Sequence, residues 1–235
     1  MPAYYPVYLN LNDKRCLVFG GGLVAEDKVS KLQGSGARIA VISPKLTPAL
    51  QASAQSGELE WHSREYRSGD LEGAFLGIAA TNRRDVNQRI FEEATQLGVL
   101  LNVVDEPDQC SFIAPSVVKR GEVTLAISTG GASPALARKL REELSGHPTL
   151  QWADLAGVLA LARREVKKRG LAVDPQRWQC SMTPELLQLA QSGRQDEALA
   201  SLLSCLSEPG APGLCQEIAS CTPPLCANRS KGQDE

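Results

Sequence analysis

The sequence predicts an α/β protein: a doubly wound parallel sheet, then a hairpin-and-helix region, then a small helical C-terminal domain. Three observations lead there. Short apolar runs alternate with helical patterns from Arg15 to Val104. A glycine-rich turn, Gly20-Gly21-Gly22, joins the first run to the first helix. After Pro115 the alternation gives way to one hairpin and a series of helices. Strands separated by helices of this length form βαβ units, and apolar runs without strict alternation suit strands covered on both faces.

The elements follow in order. Arg15-Cys16-Leu17-Val18-Phe19 is a short buried strand, and a helix runs from Leu23 to about Gln33, punctuated by Gly34 and Gly36. Arg38 to Ile42 is the second strand, stopped by Ser43-Pro44. A helix over Pro48 to Gln55 leads to a short strand, Leu59-Glu60-Trp61. Ala74 to Ala80 is the next buried run, followed by a helix from Asp85 to Leu97 and a strand from Val99 to Val104. Ser116 to Lys119 and Val123 to Ser128 flank Arg120-Gly121-Glu122 as a hairpin. Ser133 as N-cap and Pro134 at the first helical position open a helix reaching about Leu144. Trp152 to Arg169 and Pro184 to Leu206 read as helical, the second opened by Thr183-Pro184. The pattern divides the chain into residues 1–115, 116–150 and 151–207 and an irregular, Cys-containing tail, 208–235.

Composition bounds the function. The 235 residues are 43% hydrophobic and 22% charged, as in an ordinary globular protein. A net charge of −2 argues against a nucleic-acid binder. No run of about 18 apolar residues appears, so no membrane span is expected. Met1-Pro2-Ala3-Tyr4-Tyr5-Pro6 has neither the basic nor the apolar region of a signal peptide. Of the 7 cysteines, Cys16, Cys110, Cys180 and Cys205 are widely scattered, which fits a reducing, cytoplasmic setting. Cys215, Cys221 and Cys226 match no familiar zinc spacing, and His62 and His147 are not spaced as a metal pair.

Gly20 to Ala25 fits G-x-G-x-x-A between a strand and a helix, the context a Rossmann-like dinucleotide site requires. Gly20 permits the tight turn, Gly22 lets a pyrophosphate approach the backbone, and Ala25 keeps the helix near the sheet; Gly21, Leu23 and Val24 complete the cradle. The second strand ends in Ser43-Pro44-Lys45, without the acid that often holds the ribose of NAD, so the residues leave NAD and NADP both open. Pro44 and Lys45 are the candidates for ribose or adenine contacts. Thr81, Asn82, Asn102 and Val103, near the carboxyl ends of later strands, are further cofactor-binding candidates.

Asp105 follows the strand ending at Val104, where ligands of open α/β sheets bind. Two readings stand: a general base, or a turn-forming Asp before a proline-containing loop. Ser128, Thr129 and Gly130 precede a helix N-terminus suited to an anion, or simply connect hairpin to helix. Lys119, Arg120 and Arg138 belong with Arg83, Arg84, Lys139 and Arg141 to a basic set that would suit a polycarboxylate. The later run from Arg163 to Arg169 reads as a solvated helix face.

Six stretches occur in an order that resembles the siroheme synthase N-terminal family, the precorrin-2 dehydrogenase/sirohydrochlorin ferrochelatase group. They are Cys16 to Lys28, Ala79 to Asn82, Val86 to Arg89, Asn102 to Asp105, Ser111 to Ser116 and Ser128 to Arg138. The resemblance spans residues 4–145 and weakens beyond. It implies an NAD-binding domain over residues 1–115, a dimerisation region that includes the hairpin, and a homodimer. It also implies hydride transfer from precorrin-2 to NAD⁺, with loss of protons, giving sirohydrochlorin. Asp105 falls on the family's catalytic aspartate, and Gly22, Leu23, Val24, Pro44 and Lys45 on cofactor-contacting positions. Some members also insert Fe²⁺, with the same aspartate implicated. Thr129 stands where some relatives carry a phosphorylatable serine. A nucleotide-sensing binding module, which needs neither a catalytic carboxylate nor a tetrapyrrole pocket, is the alternative from another class.

Overall fold

The computed structural model describes residues 4–207, so the tail and its three cysteines lie outside the described residues. The contacts of the chain divide it into two compact units: residues up to Pro115 with Ser128–Ala137, and Ser116–Ile127 with the chain from Arg138 onward.

The first unit holds β1 (Arg15–Phe19), α1 (Leu23–Leu32), β2 (Arg38–Ile42), α2 (Pro48–Gln55), β3 (Glu60–His62), β4 (Leu76–Ala79), α3 (Arg84–Leu97) and β5 (Leu100–Val103). The five strands form one parallel sheet in the order β3-β2-β1-β4-β5. The order reverses on either side of β1, so the crevice at the carboxyl ends of β1 and β4 is the switch point where doubly wound sheets take ligands.

Side chains alternate across each strand, and here both faces are covered. Cys16 and Val18 of β1, with Ile39, Val41, Leu76 and Ile78, pack with Ala25, Val29 and Leu50. Leu17 and Phe19, with Ala40, Ile42, Leu101 and Val103, pack with Val86, Ile90 and Ala94 of α3. Full burial of a leucine or phenylalanine contributes about 1.5–3 kcal/mol, and Leu17, Phe19, Ile90 and Leu101 are at most 2% exposed. That two-sided burial is why these strands lack polar alternation in the sequence.

In the second unit, β6 (Ser116–Arg120) and β7 (Val123–Ile127) form an antiparallel hairpin. Its connection is Gly121-Glu122, shorter than the expected Arg120-Gly121-Glu122, and Ser128 lies beyond the second strand. α4 (Pro134–Ser145) starts in the first unit and continues in the second. Ser133 caps it as its side chain predicts, its Oγ accepting the Leu136 N–H at 3.2 Å.

Two helical expectations need correction. Trp152 lies not in an α-helix but in a 3₁₀ stretch, Pro148–Leu155, ahead of α5 (Ala156–Lys168). The segment from Pro184 to Leu206 is two helices, α7 (Pro184–Gln191) and α8 (Gln195–Ser207), because Gly193 takes a left-handed φ of 73° between them. A short helix, α6 (Pro175–Cys180), precedes them, capped by Asp174, whose Oδ1 accepts the Gln176 N–H at 2.6 Å. Leu155, Val158, Ala162 and Val166 pack with Leu186, Ala198, Leu202 and Leu206 into the core of this unit. No helix among the described residues is long and apolar enough to cross a membrane.

Candidate functional site

The glycine turn assigns each glycine a different task. Gly20 leaves β1 with φ 118°, donates its N–H to the Ile42 carbonyl at 3.0 Å, and has the Ala80 carbonyl where a Cβ would stand. Gly21 lies against the Lys45 carbonyl, which occupies the place of its missing Cβ, and its own carbonyl accepts the Thr47 N–H at 2.9 Å. Gly22 is extended (φ −86°, ψ −174°), and a Cβ there meets no atom within 4 Å. The first two glycines therefore close protein on protein, while the third faces open space.

Gly22 is also the N-cap of α1 without a side chain to offer, so the first-turn N–H groups lack an internal partner. Ala25 is wholly buried against the sheet and fixes the helix end there. A pyrophosphate fits this cradle: open space over Gly22, unpaired donors and the positive end of the helix dipole.

The cradle opens into a cleft of about 390 Å³, floored by Phe19 and Ile42 and rimmed by Leu23, Val24, Ser43, Pro44, Thr81 and Asn82. Thr81 is held in place by buried Asn87: its Oγ1 donates to Asn87 Oδ1 at 2.6 Å, and Asn87 Nδ2 donates to its carbonyl at 3.1 Å. Two charged residues line the cleft among the described residues, Glu65 and Arg83. Arg83 Nη1 lies 3.1 and 3.2 Å from the Glu65 carboxylate oxygens. Its Nε and Nη2 donate to Asp85 at 3.3 and 2.7 Å. The hydrogen bonds from Arg83 hold the Asp85 carboxyl below the usual carboxylate range.

Glu65 was not legible as a site residue, because it follows β3 rather than β2. Its loop is pinned on both sides. Arg64 makes a bidentate pair with Asp70 (2.8 and 2.7 Å), and Tyr66 donates to buried Glu93, which also accepts the Leu71 N–H at 2.8 Å. Burial, and then the bond to Glu93, push the Tyr66 hydroxyl far above its ordinary pKa.

The remaining candidates are spread more widely. Lys45 is exposed and meets Gly21 through its backbone, outside the cleft lining. Asn102 and Val103 lie in β5, outside the cleft lining: Asn102 Nδ2 donates to the Phe112 carbonyl at 3.1 Å, and Val103 N–H to Cys110 Sγ at 3.2 Å. Asp105 is exposed and left-handed, with φ 64°, one of two such non-glycine residues among those described. The register pairs Phe19 with Ala79 and Ala79 with Val103, so Gly20, Thr81 and Asp105 leave the same edge of the sheet. Cys110 steadies the turn behind Asp105, its thiol reaching the carbonyls of Val103 (3.2 Å) and Glu106 (3.3 Å).

The turn after the hairpin is held by its own side chains. Thr129 Oγ1 accepts the Ser133 N–H at 3.0 Å and donates to the Ser133 carbonyl at 3.1 Å, while Ser128 Oγ accepts the Gly130 N–H at 3.0 Å. Arg120, in the second unit, makes a bidentate pair with Asp154 at 2.8 and 2.7 Å, and Arg138 pairs with Glu142 at 3.0 Å; Lys119 is exposed. His62 lies 3.2 Å from Glu60, and His147 accepts the Thr149 N–H at 3.3 Å.

Residues 7–116 match a family profile described as putative NAD(P)-binding, and residues 120–147 one described as the sirohaem biosynthesis protein central region. Siroheme synthase 1 of Aeromonas salmonicida (strain A449) is 39% identical over 89% of this chain and 46% of its own length. Siroheme synthase of Thioalkalivibrio sulfidiphilus (strain HL-EbGR7) is 37% identical over 86% of this chain and 42% of its own. The chain thus spans less than half the length of these relatives. A solved structure named SirC, precorrin-2 dehydrogenase, superimposes with a TM-score of 0.66 at 26% identity, covering 86% of this chain and all of its own. Both profiles, in this order, and the shared fold make the chain similar to siroheme synthases over a putative NAD(P)-binding region and a sirohaem biosynthesis central region.

Proposed function

We propose that the chain oxidises precorrin-2 to sirohydrochlorin with NAD⁺ as hydride acceptor, as the name of its structural neighbour suggests. The observation that carries this reading is the cradle at Gly22: open space, a helix N-terminus and a cleft at the switch point of a parallel sheet. Bound there, the dinucleotide supplies the hydride acceptor, chemistry that no side chain of the protein provides.

The first turn of α1 and Gly22 hold the pyrophosphate, and Thr81 and Asn82 border the cleft where β4 ends. Asp105 takes up a proton released from the macrocycle, a task its place at the same sheet edge supports. Substrate carboxylates are proposed to be met by Ser128, Thr129 and Gly130 in the first unit and, separately, by Lys119, Arg120 and Arg138 in the second, where Arg120 and Arg138 give up their pairs with Asp154 and Glu142 to do so. The hairpin and α4, in residues 116–150, form the proposed dimer contact.

An anaerobic assay with precorrin-2 tests this. Sirohydrochlorin is expected to form with NAD⁺ and not without it, and Fe²⁺ added afterwards reads any chelation above the enzyme-free rate. Folded protein and intact substrate with no NAD⁺-dependent change in the spectrum would overturn the assignment and favour a nucleotide-sensing module.

A further inference from the structure

We propose that the Glu65–Arg83 pair sets the cleft's preference for a dinucleotide without a 2′-phosphate on its adenosine ribose. The inference rests on the dinucleotide reading of the cleft and goes beyond it, to the residues that choose between two forms of the cofactor.

In this fold the adenosine ribose lies at the carboxyl end of β2, where an acidic side chain often accepts its hydroxyls. Here that end is Ser43-Pro44-Lys45. Ser43 is 7% exposed and its hydroxyl already donates to the Lys45 carbonyl at 2.7 Å. Pro44 has no polar side chain to offer, and Lys45 turns no lining atom to the cleft. An acid is supplied instead from the neighbouring strand. β3 pairs with β2 through Ile42 and His62, and the Ser43 carbonyl accepts Trp61 Nε1–H at 2.9 Å. Glu65 follows three residues after the end of β3 and lines the cleft together with Ser43 and Pro44.

The charge arrangement then works against an added phosphate. Arg83 is the lining residue that would attract one, but each of its three nitrogens already faces a carboxylate, Nη1 on Glu65 and Nε and Nη2 on Asp85. One guanidinium between two carboxylates leaves a local excess of negative charge. A ribose diol finds an acceptor in Glu65, whereas a phosphate meets like charge and an occupied arginine. The pinning of Arg64 by Asp70 and of Tyr66 by Glu93 keeps Glu65 at this place, so the loop cannot simply swing aside.

The test is the dissociation constants of NAD⁺ and NADP⁺, measured by calorimetry on the full chain. The wild type is expected to favour NAD⁺. Glu65→Gln, at an exposed position, is expected to shift the ratio toward NADP⁺ by about tenfold, the scale of one charge contact at a partly exposed site. Adding Arg83→Ala is expected to abolish that gain, and raising the salt to shrink it. An unchanged ratio in Glu65→Gln, or a wild type that prefers NADP⁺, would overturn this inference while leaving the dinucleotide reading intact. A folded wild type that binds neither dinucleotide would overturn both.

Discussion

Replacing Gly22 and Gly21 by alanine separates what the glycine turn does for folding from what it does for a ligand. At Gly22 the backbone is one that alanine adopts freely, and the new methyl meets no protein atom within 4 Å. Gly22→Ala is therefore expected to fold at least as well as the wild type. Glycine replacement at a compatible site narrows the unfolded ensemble by about 0.4–1 kcal/mol, or about 1–4 °C in Tm for a chain of this size. The same methyl stands in the space a phosphate must cross to reach the first-turn N–H groups. Losing one charge-assisted hydrogen bond there costs about 1.5–3 kcal/mol, a fall in dinucleotide affinity of about tenfold to a hundredfold. Gly21→Ala is the contrast, because its methyl falls on the Lys45 carbonyl, with Ser43 Oγ at 2.8 Å. Overpacking against main chain costs about 1–3 kcal/mol, lowering Tm by about 2–12 °C. Thermal melts by circular dichroism and dinucleotide titration read both effects. Wild-type affinity in Gly22→Ala would refute the phosphate's approach over this residue, and a melt as low as that of Gly21→Ala would refute the account of the backbone.

Other consequences are open to equally direct measurement. Asp105→Asn keeps a side chain that tolerates the left-handed backbone and removes the base, so turnover is expected to fall by about 10²–10⁴-fold with NAD⁺ affinity unchanged; wild-type turnover would remove Asp105 from the mechanism. For Asp70, burial raises the carboxyl, but hydrogen bonds from Arg64 and the Arg67 amide outweigh it and leave its pKa depressed. A depressed folded pKa gives stability that is present above the unfolded value, about 3.9, and lost as pH falls through the folded one. Asp70→Asn is accordingly expected to cost about 1–2 kcal/mol at pH 7 and less as the pH drops below that value; a difference that stays constant in denaturant unfolding at the two pH values would contradict the pairing. Asp154→Asn breaks the bidentate partner of Arg120 while sparing the hairpin ladder, so faster hydrogen exchange at Val118 and Leu125 is the expected result and unchanged protection the opposing one.

The sheet was legible because its strands are buried on both faces: Cys16 and Val18 point one way, Leu17 and Phe19 the other, and the run reads as continuous apolar sequence. β3 sits one residue later than the pattern suggested, since Leu59 is buried yet lies outside the ladder. The 3₁₀ stretch at Trp152 was hidden because Leu150, Ala153 and Leu155 supply an apolar spacing that either helix type satisfies. α6 carries a clear Asp174-Pro175 start but is too short for an apolar stripe to develop. At the site, the glycine motif announced itself through local backbone geometry. Glu65 did not, because only the pairing of β3 with β2 brings a loop acid to the cleft, and that neighbourhood has no fixed spacing in the chain. Arg120 stood in the basic set suited to a polycarboxylate, and its pair with Asp154, 34 residues away, has no signal in the local sequence.

The path of the chain between the two units bears on how such proteins can be cut and joined. The backbone leaves the first unit after Pro115, returns at Ser128 and leaves again after Ala137. The boundary between the two matched regions, residues 116 to 120, is therefore not a boundary between compact bodies. A gene split there would strand Ser128–Ala137 on the wrong fragment and leave the parallel sheet without a segment that belongs to its own unit. A split beyond Ala137 keeps that segment with its sheet but strands the hairpin, Ser116–Ile127, away from the second unit, so no single cut between Pro115 and Arg138 frees either unit whole.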